Sequence, residues 1–397
     1  MDVTITDDRT SDTQKAVTVS QRSRLNVQLV AKRESKTTGL GRYVETLTQH
    51  LANAPLDATV TFPAFPMHEM TIKLGRRLGW DLRTFWESYP VWGSLGPADL
   101  DHITSETLAI LLLTSKKRPT IVTVHGLLSY LLRDDPELSI YSHVLDRWFD
   151  SLAVRGLHRA DAVIVVSDYL RSVLVEQIGL DQGLIHVVPE AVDHTVFRRL
   201  QLPNQFRHSY SVGNGRRYIL YVGSEQPRKN FLTLLRAFAR LRQRVQDVHL
   251  WKVGQPEIRE ERTKALKLIE ELDIGSSVTF IGHVGEDLLP YFYNASEIFV
   301  FPSLYEGFGF PPLEAMACGT PVICSNRTSL PEVVGQAALL FDPTDEEALT
   351  VQMERLLLDA ELRESYSRRG LQHAQGFRWE VTAQQTIDVY RHVLGLA

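Results

Sequence analysis

From residue 24 onward, short runs of β-branched, leucine and aromatic residues alternate with longer stretches whose apolar positions recur at helical spacing. Strands buried on both faces read as near-continuous apolar runs. Their alternation with amphipathic stretches predicts parallel sheets covered by helices. One set of predicted strands covers 24–31, 58–65, 99–105, 120–126, 162–167 and 184–189, and a second covers 218–223, 249–254, 277–282, 297–303, 321–325 and 337–342. Residues 198–217 between them hold Pro203, Gly213, Gly215 and several arginines without periodicity, as linkers do. The predicted division is a flexible tail (1–23), a first α/β domain (24–197), the linker (198–217), a second α/β domain (218–378) and a terminal helix (379–397). Helical spacing is clearest at Phe231, Leu234, Leu235, Phe238 and Leu241. It returns at Ala383, Ile387, Tyr390 and Leu394, a face suited to packing back on either domain. Each domain reads as a doubly wound sheet, whose ligands sit at the carboxyl ends of the strands. Two such domains facing each other define a cleft.

Composition removes some functions. The 397 residues include 43 Lys and Arg against 48 Asp and Glu, a net charge of −5, which argues against broad nucleic-acid binding because that needs a basic face. Cys318 and Cys324 are too few for a disulfide framework and read as reduced core thiols. The strongly apolar run at 108–113 falls far short of the ~18 residues that span a bilayer. Residues 1–23 lack the apolar core of a signal peptide. The expectation is a soluble, cytoplasmic protein, with peripheral contact at the inner membrane face left open.

Candidate chemistry is densest where the strand at 297–303 runs into LYEGFGFPPLEAMACG. Pro311 and Pro312 suit a first helical turn, whose N–H groups have no intrahelical partner. Gly307 and Gly309 permit close backbone approach, so the loop offers amides beside a positive helix end, an anion site. Glu306 and Glu314 flank it, eight residues apart. A carboxylate can accept from both hydroxyls of a vicinal diol, which suits a sugar or a ribose; equally, Glu314 can complement the helix dipole and Glu306 can be a solvated loop acid. In YVGSEQPRKNFLTLL, Arg228 and Lys229 place two adjacent cations between a strand and a helix, where they can neutralise a diphosphate or simply face solvent.

EGFGFPPLE, followed by AMACGTPVICSN and LPEVVG, resembles the E-x7-E signature and downstream stretch of retaining glycosyltransferases of family four, which have the GT-B fold. The resemblance runs from TTGLGRY at 37–43 to FRWE at 377–380 and is most specific between 218 and 343. It implies two Rossmann-like domains around a cleft, with a C-terminal helix that can cross back to the first. It also implies that Glu314 grips the donor ribose and that Glu306 bonds sugar hydroxyls near the reacting carbon. Amides of Gly307, Phe308, Gly309 and Phe310 would line sugar and phosphate. Arg228 and Lys229, after Gly223, would bind the leaving diphosphate, although Ser224 stands where many relatives carry an arginine. His125, at a strand end in TIVTVHGLL, would contact the donor sugar, without the commoner His-Asp pair. Gly39 and Gly41 would approach diphosphate or acceptor, with Thr38 replacing the first glycine of GGxGRY.

In SVTFIGHVGEDL, the resemblance implies that Gly282, His283 and Val284 hold the nucleobase by backbone contacts. Glu286 can accept from guanine N1–H and its amine, or can be a helix-entry acid before Leu288. VVPEAVDHTVF resembles VxPNGVDxxxF, with Glu190 and Ala191 in place of Asn and Gly, leaving Glu190 unassigned.

The implied reaction is hexose transfer from a nucleoside diphosphate sugar to a glycan or lipid-linked acceptor with retention. It needs no cofactor and no metal, and the catalytic set is Glu306, His125, Lys229 and Arg228. GDP-mannose is the preferred donor and a UDP-hexose the alternative. Two rivals are a dehydrogenase, disfavoured because Val44 stands where a third loop glycine belongs, and a non-catalytic donor-binding partner of a sister transferase. The acceptor is expected at 67–97, where Trp80, Phe85, Trp86, Tyr89 and Trp92 mix with Lys73, Arg76, Arg77 and Arg83. Such a stretch can stack on sugars, rest on an anionic membrane or form a plain buried helix.

Overall fold

The computed structural model describes residues 24–32, 38–54, 56–62, 90, 95–135, 137–139, 144–256 and 259–396. The predicted tail and the aromatic and basic side chains named between 73 and 92 lie outside the described residues.

The described strands form two six-stranded sheets in which every pairing is parallel. In the first domain β1 (Leu25–Val30), β2 (Leu56–Thr61), β3 (Leu100–Ile103), β4 (Thr120–Val124), β5 (Ala162–Val165) and β6 (Ile185–Val187) lie in the order β2-β1-β3-β4-β5-β6. In the second, β7 (Arg217–Val222), β8 (Val248–Val253), β9 (Val278–Gly282), β10 (Ile298–Phe301), β11 (Val322–Ser325) and β12 (Leu339–Phe341) lie in the order β12-β11-β10-β7-β8-β9. This is the Rossmann order, and its reversal between β7 and β10 opens a crevice at their carboxyl ends. The loops leaving those two strands carry Arg228 and Lys229 on one side and Glu306 on the other. Strand burial explains why the runs were readable: β4, β5, β8, β10 and β11 are buried at every position.

Phe231, Leu234, Leu235, Phe238 and Leu241 all point into the second domain from the helix Phe231–Arg244. The linker region holds a short helix, Asn204–Ser209, whose Phe206 is buried against Tyr210, Tyr291 and Phe292. One buried side chain in a helix this short leaves no periodicity to detect. The apolar run at 108–113 belongs to the 3₁₀ helix Glu106–Leu113, buried beneath the helix Val144–Leu157. Cys318 and Cys324 are both buried and unpaired. No helix among the described residues is long and apolar enough to cross a membrane.

The terminal helix, Trp379–Val393, crosses back to the first domain. Its Trp379, Ala383, Ile387 and Tyr390 share a core with Val27, Leu29, Tyr43 and Leu47. The Tyr390 hydroxyl meets His102 Nδ1 at 2.7 Å, and Thr382 Oγ1 donates to the Pro189 carbonyl at 2.8 Å. The returning chain lies beside the outgoing one, since Val192 N and His194 Nε2 both bond the Phe377 carbonyl, at 3.4 and 3.2 Å.

Candidate active site

The glycine loop ends in the helix Phe310–Ala317, with prolines in its first turn and Gly309 entering it at φ 123°, a left-handed value that favours glycine. Gly307 faces the first domain so closely that a Cβ there would lie 1.7 Å from the His125 carbonyl oxygen. Only a bare backbone fits. Ser329 Oγ donates to the carbonyls of Glu306 and Phe308, at 3.0 and 2.8 Å, and Thr328 Oγ1 accepts from Glu306 N, so the loop is braced from behind.

The cation pair arrives on the short turn Pro227–Lys229. Asn230 closes that turn in the left-handed region, φ 56°, which asparagine tolerates. Its Nδ2 donates to the carbonyls of Pro302 and Pro343, and Leu304 N donates to the Arg228 carbonyl, tying the turn to the end of β10. Lys229 Nζ therefore donates to Glu306 Oε1 at 2.6 Å, while Arg228 Nη1 lies 3.2 Å from Oε2. Burial alone would raise the Glu306 pKa, but Lys229 and Arg228 outweigh it and hold the carboxyl below its ordinary value. Glu306 is thus an anion within the crevice.

Glu314, 1% exposed, has a different neighbourhood. Tyr293 donates to Oε2 at 2.8 Å, and Arg42 Nη1, from the first helix (Gly39–Leu51) of the opposite domain, donates to Oε1 at 2.6 Å. Arg42 Nε lies 3.4 Å from Glu286 Oε1, so the placement of Glu286 is in the cleft, after β9, beside Val284 and Gly282. A Cβ added at Gly39 would stand 3.5 Å from the Phe310 ring. Thr38 caps the first helix by accepting from Gly41 N at 3.0 Å, a hydrogen bond that glycine at this position could not make, for a gain over glycine of about a few tenths of a kcal/mol.

His125 sits across from the loop with both ring nitrogens engaged: Nδ1 lies 2.7 Å from Glu190 Oε1 and Nε2 3.0 Å from the Thr104 carbonyl. A carbonyl accepts only, so Nε2 carries a proton, and a carboxylate partner favours one on Nδ1 as well. Burial would lower the His125 pKa, but the bond and charge of Glu190 outweigh it and raise the value. Tyr43 meets the imidazole edge to face at 4.5 Å. In this arrangement His125 turns its backbone carbonyl, not a ring nitrogen, toward Gly307.

Two family models match the chain, Glycosyltransferase Family 4 over residues 37–196 and Glycosyl transferases group 1 over 204–373. This chain belongs to the family 4 glycosyltransferases. The O-antigen chain mannosyltransferase B of Escherichia coli is 34% identical to it over 253 residues, 62% of this chain and 64% of the relative. The MMP alpha-(1->4)-mannosyltransferase of Mycolicibacterium hassiacum is 31% identical over 288 residues, 70% of this chain and 66% of the relative. The chain spans less than two thirds of the first relative, and its match to the serotype-specific mannosyltransferase WbdA of Escherichia coli covers 29% of that protein. Among solved structures, sucrose-phosphate synthase from Thermosynechococcus elongatus superposes with a TM-score of 0.74 at 22% identity, covering 94% of this chain and all of that one. Its fold is the same two-domain GT-B arrangement.

In this family 4 glycosyltransferase, the structure brings Arg228, Lys229, Glu306, Gly307, Gly309, Phe310, Glu314 and Glu286 around one cleft, facing Gly39, Arg42 and His125. Four contributors went unassigned in the sequence. Glu190 lies in VVPEAVDHTVF, where the resemblance gives it no role, and it is the carboxylate that His125 uses. Arg42 and Glu332 lay in GRY and LPEVVG. Tyr293 carried no signal at all. Glu332 Oε1 and Oε2 accept from Asp168 N and Tyr169 N across the cleft, at 2.8 and 3.0 Å, and Ser167 Oγ donates to the Gly307 carbonyl at 2.8 Å.

Proposed function

We propose that this chain transfers mannose from GDP-mannose to a glycan or lipid-linked acceptor, with retention at the anomeric carbon and without a resident metal. The observation that carries the reading is the convergence of Lys229 and Arg228 on Glu306 beside an amide-rich loop, with Glu314 one helical turn further. A nucleoside diphosphate sugar asks for that spacing: cations for the diphosphate, one carboxylate for sugar hydroxyls, another for ribose. The mannosyltransferase names of the relatives support the sugar, and Glu286 in the cleft supports guanine, whose N1–H and amine a carboxylate can accept.

In the reaction proposed, the bond from the anomeric carbon to the diphosphate oxygen breaks and a bond from the acceptor oxygen to that carbon forms on the same face. The acceptor proton passes to the departing phosphate. Arg228, Lys229 and the loop amides meet the charge growing on the diphosphate as fixed donors, in the manner of an oxyanion hole. They release Glu306 as they do so, freeing it for sugar hydroxyls. Glu190 keeps the His125 ring fixed on the opposite wall.

A panel of nucleotide sugars, read by thermal stabilisation and by slow donor hydrolysis, tests this without an acceptor. GDP-mannose and GDP are expected to stabilise the protein, and GDP-mannose to release GDP. A UDP-sugar that stabilises and turns over while the GDP compounds do neither would overturn the donor. No response to any nucleotide would overturn the activity.

A further inference from the structure

Arg42 is the one cation that the described first domain sends onto a carboxylate assigned to the donor. Its side chain is 22% exposed and spans the cleft. Nη1 holds Glu314 Oε1 at 2.6 Å while Tyr293 holds Oε2, so both oxygens of that carboxylate are already served. A second carboxylate waits: Glu286 Oε1 stands 3.4 Å from Nε, which has no hydrogen-bond partner, and the Glu286 side chain is 44% exposed. The guanidinium lies 5.3 Å from the Phe310 ring centroid. The cavity bounded by Arg42, Glu286, Phe310, Glu314 and Trp379 measures 170 Å³, below the ~300 Å³ at which pockets for drug-sized ligands begin. Within that cavity Arg42 occupies the Glu314 oxygen that Tyr293 leaves free.

We propose that Arg42 is a counter-ligand for the donor ribose: in the empty cleft its guanidinium occupies the carboxylate that the ribose hydroxyls take, and donor entry hands it over to Glu286. The inference rests on Glu314 being the ribose carboxylate, as the proposed function has it. The exchange has a definite chemistry. A guanidinium keeps one carboxylate partner throughout, because the roughly four lone-pair sites of the Glu286 carboxylate can take it alongside two donors of a guanine, and Glu314 trades a charged donor for two hydroxyl donors. It also has a thermodynamic consequence. Apparent affinity for any ligand carrying ribose is reduced by the fraction of molecules in which Arg42 occupies Glu314, and removing that competitor restores it. A ligand that carries only phosphates does not meet Arg42 and feels no such reduction.

The test is calorimetric titration of GDP, UDP and inorganic pyrophosphate into the wild type and into Arg42→Met and Arg42→Ala. The methionine keeps an apolar stem against Phe310, and thermal unfolding checks that each variant is folded. Arg42→Lys, which preserves a charge on the pair, serves as the conservative control. The expected result is that the nucleoside diphosphate bound by the wild type binds the Met and Ala variants several-fold tighter, that pyrophosphate binds all of them equally, and that the Lys variant stays within about twofold of wild type. Unchanged or weaker nucleoside diphosphate binding in the two neutral variants would overturn the inference, as would equal tightening of pyrophosphate, which would show a general loosening of the cleft. If the wild type binds neither nucleotide, the proposed function fails and takes this inference with it. If it binds one and the variants fail to tighten it, this inference alone falls.

Discussion

Glu306 and Glu314 belong to one motif, yet they are held by opposite means. Glu306 is neutralised from within its own domain, by Lys229 and Arg228 on a turn that Asn230 pins to the end of β10. Glu314 takes its charged partner from the other domain. The first arrangement survives any movement of the domains. The second exists only while the cleft is closed, as do the Glu332 contacts to Asp168 N and Tyr169 N. A single short helix and its entry loop therefore combine one carboxylate paired inside its own domain with another whose charged partner comes from across the cleft.

The sharpest way to break this comparison is at the cations. Lys229→Ala is expected to lower kcat by about 10²–10³-fold, the loss typical of one fixed transition-state donor, and to lower the unfolding midpoint as well, because the buried Glu306 loses one of its two cations. On the proposed reading Glu314→Ala should act mainly on the donor KM, raising it by about tenfold, because a ribose contact would be made in both ground and transition states. Steady-state kinetics on both separate the roles. A Glu314 variant that loses kcat at unchanged KM would erase the distinction.

Acid offers a subtler probe, because His102 is buried between the first-domain sheet and the terminal helix, away from both carboxylates. It bonds Thr123 and Tyr390, and burial, helped by the charge of His125, lowers its pKa to about 3. An unfolded histidine takes its proton near ~6.5, so between these values the unfolded chain binds more protons and stability falls as pH drops, at most about 1.4 kcal/mol per pH unit for this group. His125 runs the other way: its raised value adds stability below the unfolded pKa and loses it as pH rises through the folded one. Chemical denaturation at pH 6.5 and 5.5 is expected to show a gentler acid decline in His102→Gln than in the wild type. An identical slope would remove His102 from the account. The smallest effect is expected from Glu332→Gln, a few-fold drop in kcat/KM with a slightly larger radius of gyration by small-angle scattering, since hydrogen bonds to a charged group contribute about 1.5–3 kcal/mol.

The sheets were legible because their inner strands are largely buried on both faces and interrupted by turn residues, and the glycine loop and cation pair were legible because each is contiguous in sequence. What escaped was whatever the fold assembles from a distance. Arg42 meets Glu314 across 272 positions and His125 meets Glu190 across 65. No spacing rule reaches so far. The helix Asn204–Ser209 escaped for the opposite reason, being anchored by one aromatic and too short for a period.

The return of Trp379–Val393 to the first domain has a mechanical consequence. The polypeptide passes between the domains twice, and the two passages are bonded side by side at Phe377. One passage would act as a swivel. Two adjacent passages act as a hinge pin: they leave the domains free to swing about the line joining them and resist both twisting and drawing apart. Opening far enough to admit a donor then moves Arg42 along a fixed arc, away from Glu314 and back to it.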